Sequence, residues 1–314
     1  MNHKLYLSDP GIRLEGKKFF YNKNNIRVSD PLTLERLSKL RVPPAWTNLW
    51  YASNVKCHIQ VHGIDSSGKK QYILSQKWIN NSKSEKFNRM KSFIKNLNGF
   101  RKKIIISPQE SHSKELIIKL LFNLLIDTHI RVGNEIYAEQ NKTYGLTTLL
   151  QKHLILNENN YYLSFVGKSK IKHSILIPEK YTHIIKRLIV PNKNKPLFYY
   201  TSSDNKMKGI SSEELNNFLK ENMGENYTCK DFRTYSANVL FIKYFLRNIK
   251  KGKKKCIIQS IDSAAKELGH TRNISKKSYI SDNLLNYCVD SFESASLLTS
   301  SVLLTKVWDS GSSS

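Results

Sequence analysis

The chain has 314 residues and carries 51 lysines and arginines against 25 aspartates and glutamates, a formal charge of +26. Hydrophobic residues make up 39% and aromatics 11%, too many for a disordered basic tail, and the length suits about two domains, each able to bury a core. A small acidic substrate does not require so much charge; a polyanion does, with nucleic acid the leading candidate and an anionic membrane surface the second.

Residues 1 to about 80 predict a small antiparallel sheet with one helix. Alternating runs at 17–21, 57–62 and 70–75 are cut by turn signals, among them Asp65-Ser66-Ser67-Gly68, a plausible hairpin turn. A short helix is expected from Thr33, with Leu34, Leu37 and Leu40 on one face, stopping at Pro43-Pro44. At Ser82 the capping-box spacing to Glu85 opens an amphipathic helix, with Phe87, Met90, Ile94 and Leu97 on one face and Lys86, Arg89, Lys91 and Lys95 on the other. The domain boundary is set here, dividing 1–81 from 82–314. The segment 115–131 is apolar almost all round, as in a helix buried within a larger α domain.

A β-hairpin is expected next, its strands 161–166 and 171–177 flanking the basic tip Gly167-Lys168-Ser169-Lys170. Asp231 is a candidate N-cap for a helix running through Val239, Phe245 and Leu246. The lysine-rich 250–255 reads as a solvated loop, and 262–268 as a short helix closed by Gly269. The fold class is α+β: a small β-rich N-terminal domain and a larger, mainly α domain containing a short β element.

Cys57, Cys229, Cys256 and Cys288 lie far apart without a C-x-x-C pair, so neither a disulfide framework nor a cysteine zinc site is expected, and a reducing intracellular compartment is. The N-terminal MNHKLYLSDPGIRLEG has no apolar signal-peptide core, and the uncharged 294–305 is too short to span a bilayer, so no membrane insertion is expected. There is no P-loop, G-x-G-x-x-G, H-E-x-x-H or aspartate-rich cluster, and His58 and His62 share a strand face without a third ligand. No metal or other cofactor is expected.

Metal-free chemistry on a phosphodiester needs cations for the non-bridging oxygens, a proton donor for the leaving oxygen and an in-line nucleophile. Arginine suits the first task, since its planar fork binds two oxygens and keeps its proton. Lysine suits the second, because neighbouring cations lower its pKa. Tyrosine suits the third, because a phenoxide leaves more readily than an alkoxide and keeps the step reversible. The chain offers these parts in order: Arg131 in IRVGNE, Lys168 in FVGK, Arg233 in KDFRTY, His270 in LGHT and Tyr279 in SKKSYI.

In that order and with those local strings, the chain resembles the type IB DNA topoisomerases, in their small poxvirus-like and bacterial-like form. IRVGNE at 130–135 with YGLTTL at 144–149 is similar to the family's core segment; PPAWT at 43–47 and GKKQY at 68–72 resemble its N-terminal domain. The resemblance implies that the two domains form a C-shaped clamp on duplex DNA, working as a monomer without ATP, metal or nucleotide cofactor. It implies that Tyr279 attacks the backbone to form a 3′-phosphotyrosyl bond, while Arg131, Arg233 and His270 hold the phosphate oxygens. Lys168 would protonate the leaving 5′-oxygen, the free end would rotate, and the reverse attack would reseal the strand.

Gln71, Tyr72 and Tyr137 are carried over as contacts to the base region of DNA, and Lys70 as a DNA-binding residue beside them. Leu74 stands where the poxvirus pattern has a tyrosine, and Asn134 and Ile136 where it has lysines. Two alternatives stay open. A tyrosine recombinase shares the fold and nucleophile but usually carries His-x-x-Arg where this chain has Lys230-x-x-Arg233, and a non-catalytic basic DNA-binding module would not need Tyr279. The Lys-, Asn- and Ile-rich composition suggests the AT-rich genome of a large DNA virus, with the virion or a viral replication site as the place of action.

Overall fold

A computed structural model of the chain describes residues 6–107, 109–224, 226–290 and 292–296. Two compact units meet in sequence between Lys86 and Phe87. The first is built on an antiparallel sheet of five strands in the order β2-β1-β3-β4-β5: β1 (Ile12–Glu15), β2 (Lys18–Tyr21), β3 (Thr47–Tyr51), β4 (Ile59–Ile64) and β5 (Lys70–Leu74). The hairpin turn between β4 and β5 forms where expected: the Asp65 side chain accepts from the amides of Ser67 and Lys69, and Gly68 takes the left-handed φ of 77°. Helix α1 (Pro31–Lys39) starts at Asp30, whose carboxylate accepts from Thr33 N at 2.8 Å. Leu37 then packs with Ile12, Val28, Tyr51 and Val61 to make the core of this unit.

Helix α2 (Gln76–Lys103) begins well before Ser82, which lies inside it. The cap is Ser75, whose hydroxyl accepts from Trp78 N at 3.2 Å, so the Ser82–Glu85 spacing is a solvated helix face and not a start signal. The core of the second unit is a set of rings: Phe93 meets Phe232 and Phe100 meets Phe122 edge-on, each at 5.0 Å between centroids. Around them pack α3 (Lys114–Thr128), α4 (Glu135–Asn141), a sheet of β6 (Leu154–Asn157), β7 (Asn160–Val166) and β8 (Lys172–Leu176), α5 (Thr182–Arg187), the hairpin β9 (Tyr199–Thr201) and β10 (Met207–Gly209), α6 (Ser212–Met223) and α7 (Cys229–Asn248). The sequence pattern missed β6. Helix α3 ends at His129, in the left-handed region at φ 56°, so Arg131 follows the helix and is not part of it.

Three other expectations are corrected. Asp231 is inside α7, where its side chain accepts from Thr228 N at 2.8 Å; Thr228 is the N-cap of a capping box. The lysine run is not one loop: Lys250 and Lys251 form a helical turn, and Lys253–Lys255 open α8 (Lys253–Glu267). The reason is a buried stripe of Cys256, Ser260, Ile261, Ala264 and Ala265, which extends the short helix foreseen at 262–268 back through the lysines. Helices α9 (Arg272–Ser278), α10 (Asp282–Asp290) and α11 (Phe292–Ser296) complete the described chain. All four cysteines are free and buried. Among the described residues no helix is long and apolar enough to cross a membrane.

Asp231 is almost fully buried and pairs with Arg89 of α2 at 2.9 Å, which pins the start of α7 to the long helix. Replacing Arg89 by Ala leaves that carboxylate with neutral donors only. The expected cost is about 1–3 kcal/mol of unfolding free energy by urea denaturation; a loss below about 0.5 kcal/mol would mean that the pair does not hold α7.

Candidate active site

Arg131 is presented by an extended segment just beyond α3. Leu146 N donates to Arg131 O at 2.8 Å and Thr147 N to Val132 O at 2.7 Å, so IRVGNE and YGLTTL form one short backbone ladder. The two segments touch at glycines: a methyl carbon on Gly145 would lie 2.6 Å from the Gly133 backbone and 2.7 Å from Arg131 O. Only hydrogen permits that approach. The guanidinium of Arg131 hydrogen-bonds the Tyr279 hydroxyl, and burial lowers its pKa.

Lys168 opens a helical turn at the tip of the β7–β8 hairpin, closed by Gly167 N donating to Ile171 O at 2.7 Å. Ser169 and Lys170 both take left-handed backbone conformations, and the Lys170 ammonium donates to Asn141 O at the end of α4. The exposed Lys168 lines a cavity of about 220 Å³ together with Arg131, Arg233, Lys172 and His173.

Arg233, in the second turn of α7, is the most heavily buried of the set. Its terminal nitrogens donate to His129 O and Leu268 O and meet His270 Nε2 at 3.0 Å. His129 and Leu268 are the C-caps of α3 and α8. Carbonyls at helix C-termini lack intrahelical partners and carry the negative end of the helix dipole, so two helix ends converge on one cation. Burial, with Arg131 nearby, pushes the Arg233 pKa down to about 9. Its Nε is buried with no hydrogen-bond partner.

His270 follows Gly269, which takes the left-handed φ of 61°. Its ring stacks on Tyr279 at 4.4 Å and 18°. Burial, with Arg233, Arg131 and Lys168 nearby, pushes its pKa down to about 3, so the imidazole is neutral. Tyr279 caps α9, its N–H donating to Ser275 O at 3.1 Å. The structure therefore gathers Arg131, Arg233, His270 and Tyr279 into one cluster, with Lys168 on the wall of the adjoining cavity.

Sequence reasoning missed two residues that hold this cluster. Asn238 is buried on α7 and donates to Tyr279 O at 3.0 Å while accepting from Ser281 N at 2.9 Å. Its only signal was a polar residue on an otherwise apolar helix face. His129 gives its carbonyl to Arg233 and its Nδ1 to the Ser236 hydroxyl at 2.9 Å; nothing in the sequence marks it.

Of the other carried-over residues, Lys70 and Tyr72 point out from β5, Tyr72 being 48% exposed with the Lys70 ammonium 5.7 Å above its ring. Gln71 faces the other way and donates to Asp65 Oδ2 at 2.7 Å. Tyr137 on α4 is 56% exposed.

Comparison with known proteins identifies the family. A family model of the catalytic core of eukaryotic DNA topoisomerase I matches residues 75–294, and one of the N-terminal domain of bacterial DNA topoisomerase IB matches 18–65. DNA topoisomerase 1B of Acanthamoeba polyphaga mimivirus is 34% identical over 88% of this chain and 85% of its own length. DNA topoisomerase 1B of vaccinia virus, strain Copenhagen, is 30% identical over 73% of this chain and 72% of its own. A solved XerH site-specific recombinase bound to its palindromic difH substrate overlays 73% of this chain and 59% of that one at a TM-score of 0.37 and 17% identity, too distant to bear on the assignment. The family matches decide against the recombinase and the non-catalytic module: the chain belongs to the type IB DNA topoisomerases, enzymes that relax supercoiled DNA.

Proposed function

We propose that this topoisomerase opens one strand of duplex DNA through Tyr279. The phenolic oxygen attacks a backbone phosphorus, the bond from phosphorus to the 5′-oxygen breaks, and a 3′-phosphotyrosyl link remains. The phenolic proton passes to solvent, and Lys168 gives its proton to the departing 5′-oxygen. Arg131, Arg233 and His270 hold the phosphate oxygens as negative charge gathers on them. Once the free end has rotated, the 5′-hydroxyl attacks in reverse. Neither ATP nor a metal enters, because the phosphotyrosyl link conserves the energy of the broken bond.

One observation carries this reading. Two guanidinium ions lie beside one tyrosine hydroxyl, and among the described residues neither has a carboxylate ion-pair partner: Glu267, which lines their cavity, is held instead by Lys243 and Tyr244. A structural arginine pair acquires a carboxylate; a pair left unneutralised fits an arriving anion. The unpartnered Arg233 Nε adds a donor for its oxygens. Lys70 and Tyr72 in the first unit and Tyr137 in the second would each contribute DNA contacts to a monomeric enzyme. Its viral relatives favour a viral replication site or the virion as the place of action.

Tyr279→Phe should abolish plasmid relaxation and the covalent adduct while duplex binding persists, since only the phenolic oxygen is lost. Relaxation by the variant near the wild-type rate would remove Tyr279 from its role. Lys168→Ala should cleave ordinary DNA about 10²–10⁴-fold more slowly, yet recover on a 5′-bridging phosphorothiolate, whose thiolate leaves without a proton. Equal slowing on both substrates would make Lys168 a binding residue.

A further inference from the structure

His173 has no part in the mechanism above, yet two of its segments close on this one ring. His173 lies on β8 opposite Phe165 of β7, and its imidazole stacks on that ring at 5.0 Å and 22°. From there it fills the gap between two glycines. A methyl carbon on Gly167 would lie 2.8 Å from His173 Cδ2 and Nε2, and one on Gly269 would lie 3.0 Å from His173 Cε1. Gly167 directly precedes Lys168, and Gly269 directly precedes His270. For Gly269 the left-handed φ of 61° is a second reason for glycine. Gly167 has none, because its φ of −95° suits any residue. Its contact with His173 is what excludes a side chain there.

We propose that His173 is a positioning residue: its ring is the spacer between the hairpin tip that carries Lys168 and the turn that carries His270. The spacer sets how far the Lys168 ammonium reaches toward the leaving oxygen, so the inference rests on the general-acid role proposed for Lys168. Three features fit this task. The ring is held on the hairpin by Phe165, it is wedged against the facing turn at Gly269, and it lines the cavity that Lys168 lines. Burial and the two nearby arginines also lower the pKa of the imidazole.

Single-turnover cleavage of a suicide duplex tests this. His173→Ala should fold, judged by thermal melting, and cleave ordinary DNA about 10–10²-fold more slowly, the scale expected for a displaced catalytic group. On the 5′-bridging phosphorothiolate it should approach the wild-type rate. Gly167→Ala drives a methyl group into the ring and should show the same pattern. Combined with His173→Ala it should add little, because the obstructing ring is gone.

Additive losses in the double variant, or equal slowing of His173→Ala on both substrates, would overturn the spacer. Lys168→Ala runs alongside. If it is rescued by the phosphorothiolate and His173→Ala is not, the spacer fails while the general acid stands. If Lys168→Ala is itself not rescued, the general-acid reading fails, and non-additivity of the Gly167–His173 pair still decides the spacer.

Discussion

A buried arginine must find acceptors, and in this protein the ends of two helices supply them. Arg233 takes the C-cap carbonyls of α3 and α8, groups that no helix can satisfy internally. That single requirement brings together residues far apart in sequence. The end of α3 leads directly into Arg131, and the end of α8 leads directly into His270. The helix that carries Arg233 also carries Asn238, which holds the backbone of Tyr279. The cation therefore organises the cluster.

The electrostatic consequence is a site charged by design of the fold. Carbonyl dipoles stabilise Arg233 without neutralising it, so the positive charge stays available to a ligand, whereas a buried carboxylate would have cancelled it. Asp231, only two residues away, is turned to the helix start and to Arg89 and takes no part. Burial, reinforced by the same positive field, lowers the pKa of both His270 and His173. The cavity beside this cluster is lined by the cations Arg131, Arg233, Lys168, Lys172 and Lys266, with Glu267 as its carboxylate.

Local chemistry made much of this legible. A glycine closing a helix, a hairpin with a basic tip, and a helix apolar on all sides were each readable, and they precede or carry His270, Lys168 and Arg131. Helix limits were read less well. Ser82–Glu85 and Asp231 both looked like starts, but a capping pattern competes with every other serine or aspartate nearby, and burial chooses among them. The lysines at 253–255 looked like a loop by charge alone, although a buried stripe farther along carries the helix through them.

Residue patterning thus made the fold class legible, and the resemblance of short local strings to a known family brought forward the five candidate site residues, because those strings are contiguous in the chain. Tertiary structure decided which acceptors satisfy Arg233, which asparagine holds Tyr279, and why Gly167 is a glycine. Those answers depend on partners 30 or more residues apart, as with Arg233 and Leu268 or Asn238 and Tyr279, or on a ring reaching across a hairpin. No local pattern encodes a carbonyl or an imidazole arriving from elsewhere; packing alone puts it there.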